Sequence, residues 1–234
     1  FEKAGDAQQK INGKVAFTLP PLAEKRIPGG MLFRQDEYFH NTTPGVKHTA
    51  GTYLAVLFPA GKNPFIAITR EEYMNFLLSQ AKDEFARSPI VKYEDLQDKS
   101  LFTPESWNKR IKIIQAERNK AIDLLAKHLQ KMNAEQRKLP ACITDYNLNG
   151  HITNNYSYFV NHLEFNRDPF TTPEKGYQVV SINPAFFDSK LHAMVPQLIS
   201  FYWQYKTERR ELLPFNESML NKLDFNKLAS FLGK

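Results

Sequence analysis

Residues 52–72 read T-Y-L-A-V-L-F, then P-A-G-K-N-P, then F-I-A-I, then T-R-E-E. The first run is apolar and β-prone, the second is turn chemistry, and the third is a short β-prone run. Together they predict a hairpin over Thr52–Ile68 with a longer loop. The T-R-E-E stretch is a capping box, with Thr69 facing the N3 amide and Glu72 reaching back. Tyr73, Phe76, Leu77, Gln80, Ala81 and Phe85 follow at helical spacing until Pro89. A hairpin feeding a capped helix implies a sheet with a helix packed on it.

The flanks extend this pattern. Lys14–Leu19 alternates as a strand does, and Pro20-Pro21 stops it. Met31–Phe33 is a candidate short strand. Residues 36–51, with Pro44, Gly45 and Gly51, read as a long surface loop. Ile143–Leu148 and His151–Val160 flank Asn149-Gly150, a strong two-residue hairpin signal. Tyr177–Ile182 and the aromatic run Leu198–Tyr205 read as strands, and short helices are expected from Asn216 onward. Hairpins imply antiparallel pairing, and the irregular order of elements excludes a doubly wound parallel sheet. The expected class is α+β, a single domain over 1–234 with a long-helix insertion at 103–139.

That insertion starts at Thr103, with Pro104 at the first helical position. Trp107, Ile111, Ile114, Arg118, Ala121, Ile122, Leu125, Leu129 and Met132 step by threes and fours along one seam. Unbroken to Lys138, the helix would be roughly 50 Å long. It therefore crosses the domain, pairs with a partner helix, or breaks near Asn133-Ala134. The chain has a formal net charge of +6, and residues 104–138 hold nine basic residues against four acidic ones. Nearly all the excess lies on this one segment. Its functional interpretation is contact with nucleic acid or an anionic surface. A solvated basic face opposite an apolar face explains the pattern equally and disfavours nucleic acid as a partner.

Composition sets limits. With 42% hydrophobic and 13% aromatic residues, the chain can build a sizeable core and is unlike a disordered one. The longest apolar run, Tyr53–Phe58, is far short of the ~20 residues that span a bilayer. Cys142 is the only cysteine, so no internal disulfide forms, which fits a reducing cytosol or a bacterial periplasm. The chain starts at Phe1 rather than Met, as expected of a processed, trimmed or incomplete chain, with signal-peptide removal as one route. Sequons at Asn41, Asn155 and Asn216 matter only in a host that glycosylates.

The candidate sites are incomplete motifs. Asp36, Glu37, His40 and His48 gather potential metal ligands or a hydrolytic set in the 36–48 stretch. Asp145, Asn147, Asn149 and Gly150 match the first half of a calcium loop, but its twelfth position is Tyr156 rather than Glu. Cys142 with Asp145, His151 or His162 would be a thiol catalyst only with a lowered pKa, and a buried free thiol is the default. Phe201, Tyr202, Trp203 and Tyr205 either stack a base or sugar or fill the core. Tyr202, Trp203 and Arg118 are the binding candidates. G-x-S-x-G, P-loop and G-x-G-x-x-G motifs do not occur, and no cofactor is implied.

Two segments carry a resemblance. Gly61–Tyr73 (G-K-N-P-F-I-A-I-T-R-E-E-Y) resembles a G-K-x-P-F-x-P-V-T-R-x-E-Y pattern of uncharacterised exported proteins of Bacteroidota, with Ala67 in place of the Pro. Val180–Asp188, with Pro196-Gln197, resembles a second stretch of such proteins. The resemblance implies export to the periplasm or cell surface and brings no activity with it. The functional expectation is non-catalytic binding of a partner or ligand, with oligomerisation through the long helix as one route. The alternatives are a metal-dependent hydrolase using the 36–48 stretch and nucleic-acid binding through the basic helix.

Overall fold

The computed structural model describes residues 10–23, 26–40, 47–144, 156–192, 194–206 and 213–233, with side chains omitted for 35–40, 47–51, 204–206 and 213–217. The described residues form β1 (Lys10–Ile11), β2 (Lys14–Leu19), β3 (Gly30–His40), β4 (Lys47–Leu57), β5 (Phe65–Ala67), β6 (Cys142–Ile143), β7 (Tyr177–Ile182) and β8 (Ile199–Lys206). The helices are α1 (Arg70–Arg87), α2 (Pro104–Lys131), α3 (Ala134–Lys138), α4 (Tyr156–Glu164), α5 (Leu213–Lys222) and α6 (Phe225–Ala229). The α+β class is as expected, and all the strand pairings are antiparallel.

Two sheets organise the chain. The first runs β1-β2-β7-β5, and β6 pairs with β7 beyond the end of β5. The second runs β3-β4-β8. Strand parity explains how they stack, because successive side chains point to opposite faces. On β2, Ala16 faces the helices while Phe17 and Leu19 face the second sheet. On β7, Val179 and Val180 divide the same way. On the second sheet, Phe33, Leu54 and Val56 meet the first sheet, while Leu32, Ala55 and Leu57 meet Phe225 and Leu232. The layers are thus α1, α2 and α4; then the first sheet; then the second sheet; then α6 and the C-terminal turn.

The helical layer rests on local signals. Thr69 Oγ1 accepts the Glu72 amide at 3.1 Å, and Glu72 Oε2 accepts the Thr69 amide at 2.9 Å. Lys14 Nζ donates to Glu72 Oε1 at 3.3 Å, tying the start of β2 to the start of α1. Burial pushes the Glu72 carboxyl up, but hydrogen bonds from Thr69, Asn12 and Lys14 together hold it below its ordinary value. Tyr73, Met74, Leu77 and Ala81 are buried on the face toward the sheet. Each large side chain there contributes about 1.5–3 kcal/mol by leaving water. Thr103 caps α2 with Ser106, and Asn133 caps α3 with Gln136, so the long helix breaks at Met132-Asn133.

Three expectations are corrected. Thr52–Phe58 and Phe65–Ile68 are strands but not a hairpin: β4 joins β3 and β8, while β5 joins β7. The turn residues between them carry the chain from one sheet to the other. Residues 36–51 are not one long loop, because β3 and β4 pair from Gly30↔Leu57 through to His40↔Lys47. The pairing continues across polar positions because backbone hydrogen bonds hold it. His151–Val160 is not a strand throughout, because α4 starts at Tyr156. Tyr156, Phe159, Val160 and Leu163 have helical spacing, and all pack on the helical core.

Candidate functional site

The candidates from the 36–48 stretch lie on two paired strands. Asp36 sits opposite Gly51, Glu37 opposite Ala50, His48 opposite Phe39 and His40 opposite Lys47. The register therefore gives Asp36 and His40 one parity, and Glu37 and His48 the other. Their side chains lie outside the description, as do residues 145–155 with Asp145, Asn147 and Asn149. Among the described residues, no group of three or more His, Cys, Asp or Glu is placed to hold a metal ion.

The basic helix has largely internal uses. Arg118 donates from Nη2 to Ser88 O at 2.7 Å and from Nη1 to Phe85 O at 3.3 Å, and its guanidinium lies 5.1 Å from the Phe85 ring centroid. It therefore caps the C-terminus of α1, where carbonyls lack intrahelical donors. Arg137 does the same for α2, donating to Leu129 O at 3.0 Å and Met132 O at 3.1 Å while pairing with Glu71 at 3.1 Å. Lys120 pairs with Glu164 at 2.8 Å and Lys127 with Asp123 at 2.7 Å. Arg110 lies over the Phe102 and Trp107 rings. Four of the nine basic residues read from the 104–138 segment thus serve helix ends or neighbouring carboxylates.

β8 separates the other two binding candidates by parity. Trp203 stacks on Tyr53, with centroids 5.2 Å apart and planes at 20°, and packs with Phe201 against the α6 layer. Tyr202 pairs with Leu54 on the opposite face, yet its side chain is 61% exposed. Ser200 beside it is exposed too. The first sheet covers Phe33, Leu54 and Val56 of this face. The two margins of the second sheet differ. At β3, the Ala23 amide donates to Leu32 O and the Arg34 amide to Pro21 O, each at 2.9 Å, so the 21–23 segment covers that edge. Among the described residues, β8 has no strand on its outer side.

A cluster that sequence reasoning missed surrounds Phe170, which is 6% exposed. The Arg70 guanidinium lies 4.8 Å from its centroid, and the His128 imidazole stacks on it at 6.3 Å and 27°. Asp168 accepts the Phe170 amide through Oδ1 at 2.9 Å and faces Arg70 through Oδ2 at 3.9 Å. Burial pushes the His128 pKa below its ordinary value, opposed by the Asp168 charge and aided by Arg70 and Lys131. The Cys142 thiol nearby is buried, and that burial pushes its pKa up to about 11. Burial and a raised pKa are the marks of a packed free cysteine rather than of an activated thiol.

Searches against protein-family models, curated proteins and solved structures each found no match to the chain. Among the described residues, no helix is long and apolar enough to cross a membrane. The geometry therefore carries the functional argument. Among the described residues it offers a margin strand, β8, with an exposed aromatic ring, and an arginine–histidine–aspartate cluster around a buried phenylalanine.

Proposed function

We propose that this protein is an exported, non-catalytic binding domain whose β8 edge accepts an extended strand from a protein partner. One observation carries the proposal: among the described residues β8 is an eight-residue margin strand, I-S-F-Y-W-Q-Y-K, with no charge before Lys206. Long apolar edges are normally blunted by proline, charge or a covering segment, and the opposite margin of this sheet has such a cover. An edge of this kind supplies main-chain hydrogen bonds to an added strand, and alternate side chains supply specificity. The exposed Tyr202 and Ser200 would lie beside the incoming side chains. The net charge of +6 favours a neutral or acidic strand with apolar or aromatic residues at alternate positions. The resemblance of residues 61–73 and 180–188 to exported proteins supports the location.

The test starts from a phage-displayed library of linear peptides selected on the full chain. A selected peptide, made synthetically, should protect the amides of Ile199–Lys206 from hydrogen exchange. Tyr202→Lys, which places a charge on the edge, should weaken it about tenfold or more. Peptides that protect another region, or that bind Tyr202→Lys equally well, would end the strand-addition proposal. Cell fractionation tests the location, and recovery from the cytosol alone would count against export.

A further inference from the structure

We infer, resting on the strand-addition reading, that the strand accepted at β8 is β8 of a second copy, paired antiparallel about a twofold axis at Tyr202. The phase of the main chain selects which groups face outward. The Ala23 amide donates to Leu32 O and the Arg34 amide to Pro21 O, so Leu32 and Arg34 turn these main-chain groups away from β4. Main-chain groups alternate in direction along an antiparallel strand. Met31, Phe33 and Gln35 therefore bond to Val56, Leu54 and Thr52, which leaves Tyr53, Ala55 and Leu57 for β8. Opposite these three stand Trp203, Phe201 and Ile199. The outer margin of β8 thus carries the amides and carbonyls of Ser200, Tyr202, Gln204 and Lys206. Among the described residues, no strand lies beyond that margin.

A strand that pairs with its own copy across a twofold axis must be self-complementary. With the axis at Tyr202, that residue falls opposite Tyr202 of the second copy, and Ser200 falls opposite Gln204 of the second copy. In each pair outward main chain meets outward main chain, which gives about six hydrogen bonds in all. A register slipped by one residue would set outward groups against inward ones. The same axis sets Phe201 opposite Trp203 and Ile199 opposite Tyr205, so aromatic and apolar residues meet their own kind. Lys206 falls beyond the paired residues Ile199–Tyr205. Its two copies stand roughly 27 Å apart along the strands, well outside a Debye length of about 10 Å. β8 is therefore itself a neutral strand with aromatic residues at alternate positions, as its own margin requires. Pairing would join the three-stranded sheets of the two copies into one continuous sheet.

The experiment measures the mass of the full chain by sedimentation equilibrium at concentrations on the order of 1–200 μM. A single strand pair is a small interface, so reversible association of the 27.1 kDa chain into a dimer is expected within this range. The amides of Ser200, Tyr202 and Gln204 should gain protection from hydrogen exchange as concentration rises. Tyr202→Lys and Tyr202→Glu each set like charges on Cα atoms about 5.5 Å apart across the axis, and each should weaken association about tenfold or more. Mixing the two variants should restore the dimer, because lysine then faces glutamate. A variant that merely fails to fold would gain nothing from mixing. A wild-type chain that stays monomeric, a dimer protected along α2 instead of β8, association unchanged in either variant, or a mixture that stays monomeric would overturn the inference. A monomer that still binds a selected peptide along Ile199–Lys206 would leave strand addition standing, whereas failure of that binding as well would end both.

Discussion

Replacing Arg118 by Met removes the guanidinium and keeps most of the aliphatic stem. Two carbonyls at the end of α1, Phe85 O and Ser88 O, then lose their donors, and the Phe85 ring loses its cation. Hydrogen bonds from a charged group contribute about 1.5–3 kcal/mol. The helix-terminus charge and the ring contact are each worth about 0.5–1 kcal/mol and overlap with those bonds. Arg118 is only half-buried, so water rehydrates part of the freed carbonyl surface. A net loss of about 1.5–2.5 kcal/mol follows. With a urea slope of about 2–3 kcal/mol/M, the midpoint should fall by roughly 0.5–1.2 M. Arg118→Lys keeps charge without the fork and should recover less than half of the loss. Lys112→Met, an exposed position on the same helix, should stay within about 0.5 kcal/mol of the parent. If Arg118→Met melts like the parent, or if Lys112→Met is as costly, then α2 does not spend its arginine on the α1 terminus.

Other outcomes follow from particular contacts. Glu72 has a folded pKa below its unfolded one, so its contribution is complete above about pH 4.5 and is lost as pH falls through the folded value; urea melts should show a shallower acid decline in Glu72→Gln. Gly176→Ala should cost more than about 2 kcal/mol, because its Cβ would stand 2.6 Å from Ile143 O and 2.4 Å from Thr171 Cγ2. Gly61→Ala, in open space at φ +76°, should cost only about 1 kcal/mol, and thermal melts of the pair would reveal any reversal. Cys142, buried with its thiol at about 11, should resist a disulfide reagent at mildly alkaline pH and react only as the chain unfolds; prompt labelling of native protein would contradict its placement.

What the sequence disclosed was local. The caps at Thr69 and Thr103 and the break at Asn133 were readable because each signal and its partner lie within a few residues. β2 and β7 were readable with the same boundaries as in the structure, because period-two alternation is also local. Partnership was not readable. Thr52–Phe58 has the composition of a strand, but nothing within it says that it pairs with the strands of Phe33 and Phe201 rather than with that of Phe65. Tyr156–Val160 is rich in β-prone residues beside Asn149-Gly150, and only burial of Phe159 against Tyr73 decides for the helix. The site followed the same division. Trp203 and Tyr202 differ by one position and by everything in environment. Arg70, His128 and Asp168 are too far apart in the chain for any spacing rule to link them.

β7 has a consequence for how this protein is made. Its partner β2 ends at Leu19, while β7 itself begins at Tyr177. On a ribosome adding roughly 5–20 residues per second, β2 waits on the order of ten seconds or more for the strand that completes it. Throughout that interval the short β1 is the strand that β2 has beside it. The second sheet waits longer still, since β8 follows β7. Completion of both sheets is thus a late event, although β3, β4 and α1 are made well before it.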